Sequence, residues 1–318
     1  MTKKQNMKIL ITGGAGFIGS HLSRSFSKKG DEVTVIDNLI TGDKKNIDDL
    51  LSNKAFRFYK EDLLTFDFSK LSCFDLVYDL ASPASPAVFE KMALEILKVN
   101  SLGLFRLLDF FIGSKSKKMV FASTSEVYGD PLKHPQKETY FGNVNSFGPR
   151  SCYDEGKRFA EAIIYSYIKK YNSDIRIARI FNTYGPFMNK ADGRVISNFI
   201  NQALDNRPLT VYGDGSQTRS CCYITDMIDG LSALGTLDGI EGEVVNIGNP
   251  EERSVLEIAE LIKNMTKSNS EIKFMSIGRD DPKKRRPDIS KAKKILGWEP
   301  KIPLGKGLEK TIEYFKNI

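Results

Sequence analysis

Three side chains near the middle of the chain, Thr124, Tyr153 and Lys157, could together remove a proton from an alcohol. Tyr153 and Lys157 are four residues apart at the start of a helical pattern, so both side chains lie on one helix face. A lysine held against a phenol favours the phenolate and lowers a pKa that is ~10 in model peptides. A nearby hydroxyl from Thr124 would orient the substrate alcohol. The spacing therefore predicts a base for a carbinol, in which Lys157 lowers the pKa of Tyr153.

A glycine motif follows the first predicted strand and opens a helix, as a dinucleotide-binding loop must. Gly13 permits a tight turn, Gly16 lets the backbone approach a pyrophosphate, and Gly19 allows the helix and strand to pack closely. The helix N-terminus supplies unpaired N–H groups to the phosphates. Asp37 ends the second predicted strand, 18 residues after Gly19, and would bond the ribose hydroxyls. Its carboxylate would repel a 2′-phosphate, so NAD is favoured over NADP.

Further strands and helices alternate after this unit. The third strand ends near Asp62 and Leu63, which we expect to meet the adenine. The fourth is followed by a proline-rich loop at residues 80–86, which would cross the carboxyl edge of the sheet, where ligands bind in such folds. Periodicity then predicts a helix over residues 87–111. Six strand–helix alternations with right-handed crossovers predict an α/β fold with a doubly wound parallel sheet.

The pattern changes after about residue 185, where short strands and helices mix. A chain of 318 residues is long for a single core, so two lobes are expected. We predict a dinucleotide-binding domain over residues 1–185, with segments from about 225–250 returning to it. Residues 186–318 would form a smaller, mixed C-terminal lobe that closes over the sheet edge and holds the substrate.

Composition excludes several classes of protein. Hydrophobic residues make up 41% and charged residues 27% of the chain, and no apolar run has membrane-spanning length, which predicts a cytoplasmic protein with no membrane partner. Two histidines argue against a histidine metal site and a Ser-His-Asp hydrolase. The four cysteines lack metal spacing, so no metal is expected. The net charge of +7 is mostly spread along the chain, which favours phosphate-bearing small molecules over nucleic acid.

Three motifs together resemble the extended short-chain dehydrogenase/reductase superfamily of nucleotide-sugar epimerases, dehydratases and decarboxylases. They are Thr12-Gly-Gly-Ala-Gly-Phe-Ile-Gly-Ser20, Tyr153-x-x-x-Lys157 and Arg179-Ile-Phe-Asn-Thr-Tyr-Gly-Pro186. More narrowly, other segments resemble the UDP-glucuronate decarboxylase family. These segments are Leu80-Ala-Ser-Pro-Ala-Ser-Pro86, Ser123-Thr-Ser-Glu-Val-Tyr-Gly-Asp-Pro131, Pro149-Arg-Ser-Cys-Tyr-Asp-Glu-Gly-Lys-Arg158, Asp192-Gly-Arg-Val195, Gly215-Ser-Gln-Thr-Arg219, Arg285-Arg-Pro-Asp-Ile289 and Leu296-Gly-Trp-Glu-Pro300. The likeness covers nearly the whole chain; Asp79, where these families commonly have histidine or another residue, departs from it.

The resemblance implies a Rossmann fold of the extended type and a lyase that uses tightly bound NAD. UDP-glucuronate would be oxidised at C4, lose carbon dioxide as a 4-keto acid, and become UDP-xylose when the hydride returns. A 4,6-dehydratase must expel a hydroxyl and has an aspartate where this chain has Ser125, whose hydroxyl is too weak an acid for that task. A 4-epimerase would have no evident use for Glu126. Both remain alternatives, as does a non-catalytic NAD-binding regulator.

The resemblance also implies roles for individual residues. Lys157 would hold the nicotinamide ribose, Ser125 and Glu126 would flank the substrate carboxylate, and Arg285 would steady that carboxylate or the developing charge. Glu126 would either destabilise the carboxylate by like charge or order a water that protonates C5. The implied cofactor-binding residues are Gly13, Gly16, Phe17, Ile18, Gly19, Asp37, Asn38, Asp62, Leu63, Leu80, Ala81, Tyr153 and Lys157. The implied substrate-binding residues are Pro83, Glu126, Asn182, Arg194, Tyr212, Arg219 and Arg285. The relatives further imply a homodimer formed by the helices that begin near residues 87 and 153.

Overall fold

The structure, a computed structural model, describes residues 6–276 and 283–318. Its strands in chain order are β1 (Lys8–Thr12), β2 (Glu32–Ile36), β3 (Phe56–Tyr59), β4 (Leu76–Asp79), β5 (Lys118–Thr124), β6 (Ile175–Ile180), β7 (Thr183–Tyr184), β8 (Leu209–Tyr212), β9 (Thr218–Ser220), β10 (Cys222–Tyr223), β11 (Val244–Ile247), β12 (Glu252–Ser254), β13 (Ile272–Met275) and β14 (Lys284–Arg285). Its α-helices are α1 (Phe17–Lys28), α2 (Ala93–Lys98), α3 (Leu104–Gly113), α4 (Ser151–Tyr171), α5 (Val195–Leu204), α6 (Ile224–Thr236), α7 (Val255–Thr266), α8 (Ser290–Leu296) and α9 (Leu304–Lys316).

Within the described residues, seven strands form a central parallel sheet in the order β11-β6-β5-β4-β1-β2-β3. The chain runs outward from β1 to β3 and then outward on the other side from β4, which is the doubly wound pattern. Thr12 pairs with Asp79, Asp79 with Phe121, and Thr124 with Ile180. The carboxyl ends of these strands therefore meet at one edge. The predicted fold class is confirmed.

Apolar clusters cover both faces of this sheet. On one face, Leu22 and Phe26 of α1 pack with Met227 and Leu231 of α6. On the other, a second cluster contains the buried Leu104, Leu107 and Leu108 of α3 and Ile163 and Ile164 of α4. Because both faces are covered, the strands can be continuous apolar runs, as Ile9-Leu10-Ile11 is, with each side chain fully buried. This rigid sheet positions the loops at its carboxyl edge.

The helix predicted over residues 87–111 was wrong at its start and in its interior. Pro86–Val88 forms a short 3₁₀ turn, which the Ser85 hydroxyl caps by accepting a hydrogen bond from the Ala87 N–H at 3.2 Å. The helix begins at Ala93, and Val99–Gly103 forms a π-helical turn between α2 and α3. There the Asn100 amide donates to Ser82 Oγ at 2.9 Å and to the Ile96 carbonyl at 2.8 Å. Asn100 thus ties the helix to the loop at residues 80–86.

Two small sheets build the wall opposite this loop. One has the order β12-β9-β14 and the other pairs β13 with β8. In the first, Arg219 pairs with Arg285 on one side and with Arg253 on the other. Between β10 and β12 in the chain, β11 returns to the edge of the central sheet beside β6. The domain boundary near residue 185 stays a prediction. No helix in the described ranges is long and apolar enough to cross a membrane.

Candidate active site

A cleft of ≈ 740 Å³ runs along the carboxyl edge of the central sheet. Every residue that the sequence predicts to bind the cofactor, to bind the substrate or to act in the chemistry lines this cleft. These are Gly13, Gly16, Phe17, Ile18, Gly19, Asp37, Asn38, Asp62, Leu63, Leu80, Ala81, Pro83, Thr124, Ser125, Glu126, Tyr153, Lys157, Asn182, Arg194, Tyr212, Arg219 and Arg285. The structure therefore brings the whole predicted set to one place, while the role of each residue stays a prediction.

The glycine loop leaves no room for side chains where it meets the neighbouring strand end. A Cβ on Gly13, whose φ is +71°, would lie 2.7 Å from the Leu80 carbonyl carbon and oxygen. A Cβ on Gly19 would lie 2.1 Å from the Gly13 carbonyl oxygen, which explains why α1 can start directly against the loop. The backbone is thereby exposed to the cleft at the N-terminus of α1, where N–H groups and the helix dipole favour an anion.

Asp37 sits at the end of β2, beside this loop. Its two carboxylate oxygens accept hydrogen bonds from the Ala15 N–H at 2.9 Å and the Leu39 N–H at 2.8 Å. Burial raises the pKa of Asp37, and these backbone hydrogen bonds oppose the rise. Next to it, the Asn38 amide donates to Asp62 at 2.8 Å. A glycine cradle, a helix N-terminus and an acid at the end of β2 fit a dinucleotide, and they fit one without a 2′-phosphate best.

Tyr153 and Lys157 face the cleft from the first turns of α4. The Tyr153 ring is buried and stacks on Phe89, with the ring centroids 4.8 Å apart and an interplanar angle of 20°. The Lys157 ammonium donates to the Ala122 carbonyl at 2.8 Å and lies 4.5 Å from the centre of the Phe121 ring. Tyr153 is thus held by Phe89, and Lys157 is held by two residues of β5.

The prediction that Lys157 lowers the pKa of Tyr153 was wrong for the protein alone. Burial raises the pKa of Tyr153 to about 12, opposed mainly by the charge of Arg194 and a hydrogen bond with the Thr124 hydroxyl. Lys157 is itself fully buried, and burial lowers its pKa to about 8. Spacing on a helix indicates that two groups are neighbours, but desolvation decides the direction of the shift.

Glu126 lines the cleft between two arginines. Its Oε2 accepts hydrogen bonds from Arg150 at 2.5 Å and from Arg285 at 3.2 Å. Arg285 also donates to the Ser125 carbonyl at 2.5 Å. Burial opposes ionisation of Glu126, but the charges of Arg285 and Arg150 outweigh it and lower the pKa to about 2. Glu126 is therefore ionised and occupied by its partners at every physiological pH.

We call Arg150, Arg219 and Arg285 the arginine cluster. All three line the cleft, and Arg219 and Arg285 are neighbours across β9 and β14. Burial lowers the pKa of Arg285, and the charges of Arg219 and Arg150 lower it further while that of Glu126 raises it. Three guanidinium groups surround Glu126, and the Asp154 carboxyl lies 3.8 Å from Arg150, so excess positive charge remains in a poorly hydrated place. Such an arrangement favours an incoming anion.

Another wall of the cleft comes from the proline-rich loop at residues 80–86 and the residues just before α5. Arg194 donates to the Ala84 carbonyl at 2.7 Å, and the Ser85 hydroxyl donates to the Asp192 carbonyl. These bonds fix the loop at residues 80–86 against the N-terminus of α5. Tyr212 lines the cleft and is 47% exposed, so it is no core aromatic and leaves a ring face available to a ligand.

Sequence reasoning gave Arg150 no role, although it lies inside a motif that we noted. The available signal was its place three residues before Tyr153, about one helical turn away, which brings it to the same cleft. Other lining residues were also given no role: Ser82 and Gln217 lie inside the motifs quoted above, whereas Phe89, Thr210 and Cys221 lie outside them. In the basic run of residues 283–286, only the burial of Arg285 separates it from the exposed Lys283 and Lys284.

The sheet, the glycine loop and the Tyr153–Lys157 pair define a nucleotide-sugar-modifying protein of the extended short-chain dehydrogenase/reductase class. The sequence model of the family described as GDP-mannose 4,6 dehydratase matches residues 10–311, and the chain belongs to that family. Among its members, the chain is 48% identical to "UDP-glucuronic acid decarboxylase 1" of Danio rerio over 317 residues, which cover 99% of this chain and 74% of the relative. It is 47% identical to "UDP-glucuronic acid decarboxylase 6" of Arabidopsis thaliana over 316 residues, 98% of this chain and 90% of the relative.

Solved structures give the same picture. The UDP-glucuronic acid 4-epimerase of Bacillus cereus, in complex with UDP-glucuronic acid and NAD, superposes with a TM-score of 0.90 at 34% identity. That match covers 98% of this chain and 99% of the other. The UDP-glucose 4-epimerase of Thermotoga maritima matches with a TM-score of 0.89 at 30% identity, covering 98% and 99%.

Proposed function

We propose that this protein binds NAD and converts UDP-glucuronate into UDP-xylose and carbon dioxide. The arginine cluster around Glu126, placed beside Thr124 and Tyr153, is the observation that carries the proposal. It puts an anion-binding group next to the base that would act on the sugar. Decarboxylases at 47% and 48% identity over nearly the whole chain support the same reaction.

The dinucleotide half of the cleft suits NAD. The backbone of the glycine loop would meet the pyrophosphate at the N-terminus of α1, and the Asp37 carboxylate would bond the ribose hydroxyls. Lys157 reaches the cleft from below and would bond the nicotinamide ribose. Bound NAD supplies a hydride acceptor for C4 of the sugar and a donor for its return. NAD in the 4-epimerase of Bacillus cereus supports this assignment.

The chain's own groups would manage the protons. Tyr153 takes the proton of the C4 hydroxyl, and Thr124, whose hydroxyl bonds Tyr153, orients that oxygen. Oxidation makes the sugar a β-keto acid, whose C5 carboxylate leaves as carbon dioxide while its electrons run into an enolate. C5 must then take a proton, and Tyr153 returns its own proton to O4 when the hydride goes back to C4. Arg285 is placed to hold the carboxylate before it leaves and the enolate charge afterwards.

Of the two roles left open for Glu126, like-charge repulsion fits the geometry poorly. Its charge is shared with Arg150 and Arg285 within 3.2 Å, so little of it acts on an incoming carboxylate. We propose that Glu126 sets the positions of both guanidinium groups and helps to order a water for C5 protonation.

We expect Glu126→Gln to reduce the rate of decarboxylation about 10- to 100-fold, because the amide loses the charge that aligns both arginines. NAD affinity should stay within about twofold, since the adenine and ribose sites lie at the other end of the cleft. Trapped carbon dioxide measures the rate of decarboxylation, and fluorescence titration measures NAD affinity. Glu155→Gln is the matched control, because Glu155 pairs with Arg158 at 3.4 Å on the same helix, away from the cluster. Equal losses in both variants would contradict the role of Glu126.

Incubation with UDP-glucuronate labelled in its carboxylate tests the function directly. Release of labelled carbon dioxide together with UDP-xylose is the expected result. Turnover of UDP-glucose or dTDP-glucose to a 4-keto-6-deoxy sugar, without carbon dioxide from UDP-glucuronate, would instead identify a 4,6-dehydratase. Bound NAD with no turnover of any nucleotide sugar would identify a non-catalytic regulator.

The second candidate function is 4-epimerisation of the same substrate. The 4-epimerase of Bacillus cereus, crystallised with UDP-glucuronic acid, shares the fold at 34% identity and favours this alternative. UDP-galacturonate formed without carbon dioxide would establish it.

We also propose that the protein is a homodimer formed by α2, α3 and α4. Their outer faces expose large apolar side chains, 39–66% exposed on α2, the π-helical turn and α3. These are Leu94, Leu97, Leu102 and Phe105, with Phe159, Tyr165 and Tyr171 on α4. Such a continuous apolar face is typical of an interface.

A cytoplasmic location stays a prediction from the sequence.

We expect Leu94→Asp combined with Leu102→Asp to convert the dimer into a monomer, because two buried, unpaired carboxylates would face the partner. Sedimentation velocity measures the change. Phe274→Asp is the control, since Phe274 is 54% exposed but lies on β13 in the other lobe. A wild-type protein that sediments as a monomer at micromolar concentration would refute the interface.

A further inference from the structure

Asp79 is a buried carboxyl group that the chemistry above does not use. It ends β4, is 4% exposed, and does not line the cleft. Its Oδ1 accepts hydrogen bonds from the Thr12 hydroxyl at 2.6 Å and from the Ala81 N–H at 3.2 Å. Because an N–H can only donate, Oδ1 acts as an acceptor, as it does in a carboxylate.

The position of Asp79 in the sheet places it beneath Lys157. Asp79 pairs with Phe121 across β4 and β5, and neighbouring strands are ~4.8 Å apart. The Lys157 ammonium lies over that same Phe121 ring and bonds the carbonyl of the next residue, Ala122. The Asp79 carboxylate and the Lys157 ammonium therefore lie near the same part of β5, and both residues are buried.

Other charges near Lys157 are already compensated. Among the described residues, the anions that act on it are Asp79 and Glu161. Glu161 is held by Arg179, with N–O distances of 2.7 and 3.0 Å, and it accepts from Ser123. Tyr153, one turn earlier on α4, is neutral because burial raises its pKa to about 12. Asp79 is thus the anion left to balance the Lys157 charge.

We propose that Asp79 is a positioning residue that acts through Lys157: its carboxylate is the counterion that keeps the buried ammonium charged and seated at the cofactor end of the cleft. The hydrogen bond from Thr12 joins this counterion to the residue just before the glycine loop. One carboxylate therefore links the end of β1, the end of β4 and the lysine of α4. Burial raises the pKa of Asp79, and the Thr12 hydrogen bond and the Lys157 charge oppose this rise.

The sign of the pH effect follows from the Lys157 ammonium. Burial already lowers the pKa of Lys157 to about 8, and Asp79 holds it there against a further fall. The working form carries the proton, so activity decreases as pH rises through that value. Without the Asp79 charge, the same decrease must start at a lower pH.

Asp79→Asn tests this with the same size and a neutral group. On the purified protein, competitive acetylation with acetic anhydride across pH 6–10, read by mass spectrometry at Lys157, measures the lysine pKa without any turnover. We expect the pKa of Lys157 to fall by about one unit or more in Asp79→Asn, a change of at least about tenfold in its proton affinity. The alkaline side of the kcat/KM profile for UDP-glucuronate should move by the same amount.

Three further variants complete the experiment. Thr12→Val removes the hydrogen bond but keeps the carboxylate, and should leave the Lys157 titration unchanged. Asp79→Glu should return the pKa of Lys157 at least part of the way to the wild-type value. Asp79→Ser is a second neutral replacement if the asparagine variant does not fold. An unchanged Lys157 titration in a folded neutral variant overturns the proposal, whether or not UDP-glucuronate is the substrate. The acetylation readout is independent of the proposed function, whereas the kcat/KM readout rests on it.

Discussion

Replacing Tyr153 with phenylalanine is expected to lower kcat for UDP-glucuronate by about 10³-fold or more, within the range of general acid–base catalysis. The change removes only the hydroxyl, because the Tyr153 ring is held by its stack on Phe89, 4.8 Å between centroids. NAD affinity and Tm should therefore stay close to those of the wild type. Stopped-flow absorbance of the reduced cofactor, after mixing NAD-loaded protein with UDP-glucuronate, measures the first oxidation directly.

Tyr165→Phe provides the control for this variant. Tyr165 lies on the same helix but is 63% exposed on its outer face, so its hydroxyl has no part in the cleft. A transient of reduced cofactor with unchanged rate in Tyr153→Phe would refute the assignment of the base. Loss of NAD binding in that variant would instead mean that the hydroxyl supports the cofactor.

Burial makes this tyrosine a poor base until ligands arrive. Its pKa of about 12 leaves only a small ionised fraction at pH 7.5. Arg194 and Thr124 already act to lower that value, and the positive nicotinamide of oxidised NAD would add to them. In the proposed mechanism, Tyr153 therefore becomes an effective base only when ligands occupy the cleft.

The sequence predicted the central elements well because each is a local pattern. The residue pattern predicts strands over residues 175–180, 209–212, 244–247 and 272–275 and a helix over residues 195–204, and β6, β8, β11, β13 and α5 have these bounds. These segments are short apolar runs or clear amphipathic repeats between turns, and their pattern does not depend on distant residues. The glycine motif likewise needed only its own strand and helix to be recognised.

Features that depend on distant contacts could not be predicted in this way. The π-helical turn at Val99–Gly103 is held by Asn100, whose amide bonds Ser82 eighteen positions earlier in the chain. The spacing of apolar residues within the helix gives no information about that partner. The pairing of Arg219 with Arg285 is similar, because it depends on the meeting of β9 and β14, which lie far apart in the chain.

The charge balance of the active site is another property of the folded chain. Glu126 has a pKa of about 2, since two guanidinium groups contact it. Asp154, in the first turn of α4, has a pKa raised to about 7, first by burial and then by the charge of Glu126. The pKa values of these two neighbouring carboxyl groups thus differ by several units. Only their different access to arginine and to solvent separates them.

Lys157→Met is expected to remove activity and, at the same time, the free-energy cost of burying the ammonium. A fall in the lysine pKa from 10.5 to about 8 corresponds to ~3 kcal/mol of destabilisation when both folded and unfolded forms are protonated. Two costs oppose the gain from removing it: the Ala122 carbonyl loses its hydrogen bond, at ~1 kcal/mol, and the buried Asp79 carboxylate loses its counterion. Turnover should fall by about 10²- to 10³-fold, since one charged group at the reacting centre is lost.

The pH dependence identifies the source of this gain. The unfolded chain binds the lysine proton up to pH ~10.5, whereas the folded chain releases it near pH 8. Wild-type stability must therefore rise between these two values, and the advantage of Lys157→Met must be full below pH 8 and shrink above it. Thermal unfolding at pH 7 and pH 10 measures both, with Lys169→Met, an exposed lysine of the same helix, as the control. A stability difference between Lys157→Met and the wild type that is the same at pH 7 and pH 10 would contradict this cost of burying the ammonium.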